Sequence, residues 1–552
     1  MWWLAVRNGA RIAGWDSVRG AVPFHATHLP IFLLMQAPLL ISLPSGLVTS
    51  GVVTWATRLA NALAQRGRLA GLILHAPTPG HARLECDLDP RVRVFDFASL
   101  PPLEHANGDL SAFIPHYRDA IHDLAITSGS SVVVSPNLLG DCYGIAAAIA
   151  LSQPEVLRVL GWAHLDSPYE YAMLAHYEPL LAGIVGVSGA VDARLRHDLP
   201  ARGAEIRRIA YGVPPAPARP ASASHGPLRL IYAGRMEQDV KRVGALIHMS
   251  DELTRRGVPH RLTLLGDGPA AGEIDTQVRA RSMIHRIPAV SAARVPEFLV
   301  QHDVFVQASR IEGLSLSILE AMSCGCVPVV TRTRSGADEA IEDGVTGRVV
   351  EWEDPAHPGP DLARLGRLLA DGVCDAVRRG LSAMSGNAAR IARERYSIDA
   401  HATAVEGLVD QAASTPPRPW PAHRPCAFTS SGAAASPGSG TVPPQAGERL
   451  RFVLGQLAGK KVVLHGTGRH TLELAGVLAE FTPSLVGFTD DDPGKHGRKL
   501  WGLPILAPTD ARLSGATDVV ISSALHQNDI WSRRGVYEAQ GLSVHKLYPA
   551  AA

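Results

Sequence analysis

The strongest constraint on this chain is a strand–helix alternation that runs, stops and restarts twice. It begins at Pro38 and breaks off in the Pro-, Ala- and Gly-rich stretch IRRIAYGVPPAPARPASASHGP (206–227). It resumes at Leu228, breaks again in a Pro/Ser/Gly/Ala-rich tract over 413–447, and resumes at Lys460. Short apolar runs such as PLLISL (38–43), SVVVSPN (131–137), LRLIYAG (228–234) and VFVQAS (304–309) have the composition of strands buried on both faces. Helical segments such as VVTWATRLANALAQRG (52–67) and VGALIHMSDELTRRG (243–257) follow strands and end at a glycine. Alternation of this kind builds parallel, doubly wound sheets, so the fold class is α/β.

The expected organisation is a 1–34 extension, a first sheet domain over 35–212, a second over 213–412, a flexible linker over 413–447 and a small third domain over 448–552. The run LPIFLLMQAPLLISL (29–43) is too short to span a bilayer comfortably and lacks a small-residue cleavage site. Translation is expected to begin at Met35, leaving 1–34 poorly ordered.

Charge narrows the function. Lys and Arg number 53 against 52 Asp and Glu, and aromatic residues make up 5%. Neither suits a nucleic-acid binder, which needs a basic surplus or stacking platforms. The six cysteines are scattered, and only Cys324 and Cys326 lie close together. They fit small buried residues beside a helix end in a reducing compartment, and no metal site is expected.

Candidate chemistry centres on SRIEGLSLSILEAMSCGCVPVVT (309–331). Glu312 and Glu320 stand eight residues apart, about 80° off a common face of a continuous helix. Gly313 and Ser315 instead predict a helix starting near Leu316, with Glu312 in the preceding loop and Glu320 about one turn inside. Amides near Leu316 and Ser317 would then face the cleft as unpaired donors, as a diphosphate requires. The same letters also fit a purely structural element, with a Ser317–Glu320 capping box and a Gly325 stop. Upstream, GRMEQDVKRVG (234–244) places Arg235 and Lys241 after a strand, where a guanidinium fork and an ammonium could clamp phosphate.

DVFVQASRIEGLSLSILEAMSCGCVPVVTRTRSGADEAIEDGVTGRVV resembles the donor domain of family 4 (group 1) glycosyltransferases, retaining enzymes of the GT-B fold. The E-x7-E signature falls on Glu312 and Glu320, and the resemblance extends over about 35–412. It implies two doubly wound domains facing an interdomain cleft and a hexosyl-type transferase acting with retention. A nucleotide-diphosphate sugar would be the donor, and a glycan or lipid-linked acceptor would serve cell-surface polysaccharide or glycan assembly. Arg235 and Lys241 would neutralise the diphosphate, Glu312 would bind donor-sugar hydroxyls and Glu320 the ribose. Backbone at Ser315, Leu316 and Ser317 would meet the distal phosphate. Gly51 would let backbone approach that phosphate, and His164 would stand near the reacting sugar. Protein cations would replace a metal, and the Asp87-Leu88-Asp89 triplet reads as a surface turn. The protein is expected in the cytoplasm, peripheral at the inner face of the membrane. IHRIPAV (284–290) departs from the family pattern in lacking a glycine.

The third unit resembles the small Rossmann-like domain found in front of bacterial sugar acyltransferases, on VVLHGTGRHTLELAGVL, VGFTDDDPGKHG and GLPIL. Gly466 and Gly468 follow a strand, Thr471 stands where the third glycine of a dinucleotide fingerprint would be, and Asp490 ends the next strand. The resemblance implies a second nucleotide or nucleotide-sugar site, against a docking module. An NAD-dependent oxidoreductase or epimerase led by this unit, or a non-catalytic nucleotide-sugar-binding protein, remains as an alternative.

Overall fold

The computed structural model describes residues 36–548 except 78–85, 107–108, 218–225, 334–335, 337–338, 353–360, 429–445, 468–469, 472–473, 482–483, 493–494, 498 and 524–526. The expected 1–34 extension lies outside the described residues.

The first sheet has seven strands: β1 (Leu39–Leu43), β2 (Ala70–His75), β3 (Arg93–Phe97), β4 (Val132–Ser135), β5 (Leu157–Ala163), β6 (Leu181–Gly186) and β7 (Ile206–Arg208), in the order 3-2-1-4-5-6-7. All pairings are parallel. The second sheet has six: β8 (Leu228–Ala233), β9 (His260–Leu265), β10 (Ile284–Ile287), β11 (Val304–Gln307), β12 (Val327–Thr331) and β13 (Arg348–Val350), in the order 10-9-8-11-12-13. It is also parallel throughout. The third comprises β14 (Val462–His465), β15 (Leu485–Thr489), β16 (Lys499–Leu500), β17 (Leu503–Leu506), β18 (Asp518–Ile521) and β19 (Ser543–Lys546), in the order 16-17-15-14-18-19. Among the described residues of this sheet only the short β16–β17 pair is antiparallel. The α/β expectation therefore holds in all three units.

Each order reverses at one point: between β1 and β4, between β8 and β11, and between β14 and β18. Loops leaving the two strands there diverge to opposite faces, which opens a crevice at the strands' carboxyl ends. The strands flanking these crevices are almost wholly buried, which is why they read as unbroken apolar runs.

Two stretches differ from the sequence reading. Ile206–Arg208, inside the predicted boundary segment, adds an edge strand to the first sheet. The predicted linker begins with a packed segment: Trp420 is 2% exposed in the core of the first domain. Tyr177 Oη donates to Cys426 O (2.7 Å), and Arg158 Nε to Thr415 O (2.8 Å). A Pro-rich composition hides this, because one buried tryptophan and a few side-chain bonds to its backbone suffice to dock an irregular segment. Helix Ile398–Ser414 also returns to the first domain, where Trp55 Nε1 donates to His401 Nε2 (2.9 Å).

Candidate functional site

Helix Leu316–Ser323 follows β11 as the spacing predicts. Its carboxyl end closes on Gly325 (φ 65°), with Gly325 N donating to Met322 O (2.9 Å) and Cys326 N to Ala321 O (2.8 Å). These are the two bonds of a Schellman stop. The amino end differs from the capping-box reading. Ser315, not Ser317, is the N-cap, and its Oγ donates to Gln307 Oε1 (3.1 Å) instead of capping. Glu320 points elsewhere: its Oε1 lies 2.6 Å from Nη2 of Arg58, on helix Gly51–Gln65 of the first domain.

Glu312 Oε1 accepts from Lys241 Nζ (2.6 Å) and from Gln307 Nε2 (3.0 Å). Lys241 and Arg235 stand on the loop after β8, and Glu312 on the loop after β11, so the pair spans the reversal point of the second sheet. The Arg235 loop is held by Tyr232 Oη, which donates to Arg235 O (2.7 Å). It is held too by the turn after β9, where Gly266 (φ 143°) passes so close that a Cβ would lie 1.9 Å from Gly234 O. Only glycine fits that approach.

The first domain supplies the facing wall. Ser50 Oγ accepts from Val52 N (3.3 Å) and starts the helix at Gly51, where an added Cβ would meet nothing within 4 Å. His164 ends β5 and touches the second domain through its backbone: Leu165 bridges Gly313, and a Cβ on Gly313 would lie 2.0 Å from His164 O. Its imidazole is 2% exposed and committed on both nitrogens. Asn137 Nδ2 donates to Ser42 O (3.2 Å) and Ser135 O (2.9 Å), so Asn137 Oδ1 faces His164 Nε2 (2.9 Å) as an acceptor. Nε2 therefore carries the hydrogen, and Nδ1 accepts from Tyr211 Oη (2.8 Å). Burial pushes the imidazole down to about 3, so it is neutral at physiological pH. Glu170 Oε2 accepts from His164 N (2.6 Å) and Leu165 N (3.0 Å), and burial raises that carboxyl to about 8.

Seven of the predicted donor-site residues thus occupy the two loops and the helix around the β8/β11 reversal, with Gly51 and His164 on the opposing wall. Sequence reasoning missed Arg58, Asn137, Tyr211, Glu170 and Gln307. Arg58 alone carried a local signal, standing seven residues after Gly51 and so on nearly the same helical face. The Asp87–Asp89 turn is pinned by Asn61 Nδ2 to Asp87 O (2.8 Å) and by Asp89 pairing with Arg91. Among the described residues no cluster of His, Cys, Asp and Glu could hold a metal ion. Cys324 and Cys326 are buried thiols in no disulfide among the described residues.

In the third domain Gly466 (φ 107°) makes the turn after β14. Asp490 Oδ2 accepts from Thr467 N (2.8 Å) and Thr467 Oγ1 (2.5 Å) and pairs with Lys495 Nζ (3.1 Å), while Oδ1 accepts from Asp492 N (3.0 Å). Burial alone would raise this carboxyl, but those bonds and the lysine hold it below its ordinary value. Asp490 grips the glycine loop from beneath. Gly468 lies outside the described residues.

Residues 227–365 match the family model of glycosyl transferases group 1. The match falls on the second domain, about a quarter of the chain. It contains Arg235, Lys241, Glu312, Ser315, Leu316, Ser317 and Glu320. Over 220 residues the chain is 30% identical to the alpha-D-kanosaminyltransferase of Streptomyces kanamyceticus, covering 38% of this chain and 50% of that protein. Over 92 residues it is 34% identical to the Vi polysaccharide biosynthesis protein VipC/TviE of Salmonella typhi, 16% of each. The chain thus spans half the length of one of these relatives and less of the other. The pneumococcal O-GlcNAc transferase GtfA, solved with UDP and GlcNAc, superposes with a TM-score of 0.52 at 12% identity. That match covers 69% of this chain and 100% of that one, which gives the first two domains the GT-B fold. Among the described residues no helix is long and apolar enough to cross a membrane.

Proposed function

We propose that the chain is a retaining family 4 glycosyltransferase that moves a hexosyl unit from a nucleotide-diphosphate sugar to an acceptor hydroxyl. The observation that carries this is the sorting of the two carboxylates. Glu312 answers to Lys241 at the reversal point of the group 1 domain, and Glu320 answers to Arg58 from the opposite wall. A hydrolytic acid/base pair would flank one scissile bond. Here each carboxylate has its own cation, which suits two ends of one elongated donor.

Arg235, Lys241 and the amides at Ser315, Leu316 and Ser317 hold the diphosphate. As the anomeric C–O bond to phosphate breaks, negative charge grows on the leaving diphosphate, and these groups stabilise it where it develops. The acceptor oxygen attacks the same face of the sugar, a new C–O bond forms, and its proton passes to the departing phosphate oxygen. Glu312 orients sugar hydroxyls and Glu320 the ribose, while Gly51 leaves room for phosphate at the first domain's helix end. His164, neutral and bonded on both sides, holds the strand end that faces the sugar. The acceptor class is a glycan or lipid-linked glycan, and the site of action the cytoplasmic face of the membrane. For the third domain we infer a nucleotide or nucleotide-sugar role at the Gly466 turn, with Asp490 acting through the loop it grips.

A thermal-shift screen of the full chain against UDP-, GDP-, ADP- and dTDP-sugars tests the donor assignment. A bound donor at 100 times its Kd should add about 2.7 kcal/mol to stability. Lys241→Ala and Glu320→Ala should each abolish that shift and the transfer activity while the protein stays folded. Full activity in either variant would sink the assignment.

A further inference from the structure

Arg58 reaches across from the first wall to the helix that carries Glu320. It stands on helix Gly51–Gln65, about two turns beyond Gly51. Its Nη2 meets Glu320 Oε1 (2.6 Å) and donates to Ala292 O (3.3 Å), in the loop beyond β10. Its Nη1 is buried and makes no hydrogen bond among the described residues. The Arg58 and Glu320 side chains are 13% and 8% exposed. A pair this enclosed is costly to break from one side, because the remaining charge stays buried.

We propose that Arg58 is a positioning residue for nucleotide recognition: it fixes the Glu320 carboxylate from the opposite wall, so that the ribose subsite is complete only when the two domains meet. This rests on the donor-site reading above. A carboxylate accepts on both oxygens and can take the two hydroxyls of a vicinal diol. With Oε1 held by Arg58, no hydrogen bond to Oε2 is made among the described residues, which leaves that oxygen for a diol. Arg58 is itself tied by a hydrogen bond to the backbone carbonyl of Ala292 in the second domain, which limits how far its guanidinium can swing. An arginine acting only as a strut between domains would leave the preference for a ribose hydroxyl untouched. One that orients Glu320 would set it.

Calorimetry on the full chain separates these roles, using UDP, GDP and ADP with their 2′-deoxy and 3′-deoxy forms, on wild type, Arg58→Ala and Arg58→Lys. Wild type should lose about ten- to a hundredfold in affinity when a ribose hydroxyl is removed, as for a hydrogen bond to a charged group. Arg58→Ala should bind the ribonucleotide more weakly by a similar factor and lose less than threefold further with the deoxy forms. Arg58→Lys keeps the charge without the fork and should fall between, which guards against a folding defect in the alanine variant. Full ribose discrimination in Arg58→Ala, or unchanged affinity, would overturn the inference. So would wild-type binding without ribose discrimination, although the donor site would stand. Wild type that binds none of these diphosphates would overturn the donor reading itself, and the inference with it.

Discussion

Gly313→Ala is the sharpest perturbation of the contact between the two walls. The added methyl would lie 2.0 Å from His164 O, 2.8 Å from His164 C and 3.0 Å from Val187 Cγ2. Carbon and oxygen rarely approach within about 3 Å, so roughly 1 Å of relief is required at this contact. His164 cannot supply it. Its amide is held by Glu170 and its ring by Asn137 and Tyr211, all within 2.9 Å. The walls must therefore part where Leu165 bridges Gly313, and Glu312, one residue away, moves with the loop.

A misplacement of about 1 Å in a substrate-holding group costs about 10²-fold in rate, or about 2.7 kcal/mol in the barrier. Stability should fall by less, near the low end of the ~1–3 kcal/mol typical of overpacking, because opening an interface relieves the clash without distorting either sheet. Donor turnover (kcat/KM) and Tm measured on the same preparations give both quantities. Activity within threefold of wild type would show that the walls need not meet at Gly313 for chemistry. A collapse of Tm in step with activity would show that the clash is absorbed inside a core instead.

Three further outcomes follow from the same geometry. Gly51→Ala adds a methyl with no protein atom within 4 Å, so stability should hold or rise by about 0.4–1 kcal/mol while the donor KM increases; a lower Tm would contradict the open space seen there. Glu170 is raised by burial from 4.5 to about 8, so the unfolded chain loses its proton first as pH climbs: the stability Glu170 contributes is present below about 4.5 and drains away through about pH 8. Glu170→Gln keeps the acceptor for His164 N and Leu165 N and should flatten that slope in denaturant titrations, and an unchanged slope would refute the assignment. Gly144→Ala would set a methyl 2.7 Å from Cys426 O and should lift the segment around Trp420 off the first domain; hydrogen exchange over 415–428 should rise sharply, and unchanged protection would show that the segment is not seated on this glycine.

What local pattern could reveal here, it revealed. Buried parallel strands are apolar along their whole length, and Gly325 is the residue a left-handed helix stop demands, so elements and stops were legible without partners. Long-range choices were not. Ser317 and Glu320 have the spacing of a capping box, yet a half-buried arginine 262 positions earlier takes the carboxylate instead of a backbone amide. The charge-assisted pair is the stronger bond, and no window of sequence around Glu320 contains its partner. Trp420 was equally hidden, since its burial depends on Tyr177 and His176 far upstream.

The separation of the two glutamates has a mechanical consequence. Lys241 and Glu312 belong to one domain, so their pair survives any motion of that domain as a rigid body. Arg58 and Glu320 belong to different domains, so a motion that parts the two walls at this point would break their pair. With the walls apart, Glu312 would keep Lys241 as its partner, whereas Glu320 would lose Arg58. Rejoining the walls would re-form a largely enclosed pair, which is stable only if both charges are satisfied. If Glu320 takes the ribose as proposed, nucleotide binding and the meeting of the walls through Arg58 share one carboxylate, and the affinity for the diol should report how far the walls stand apart.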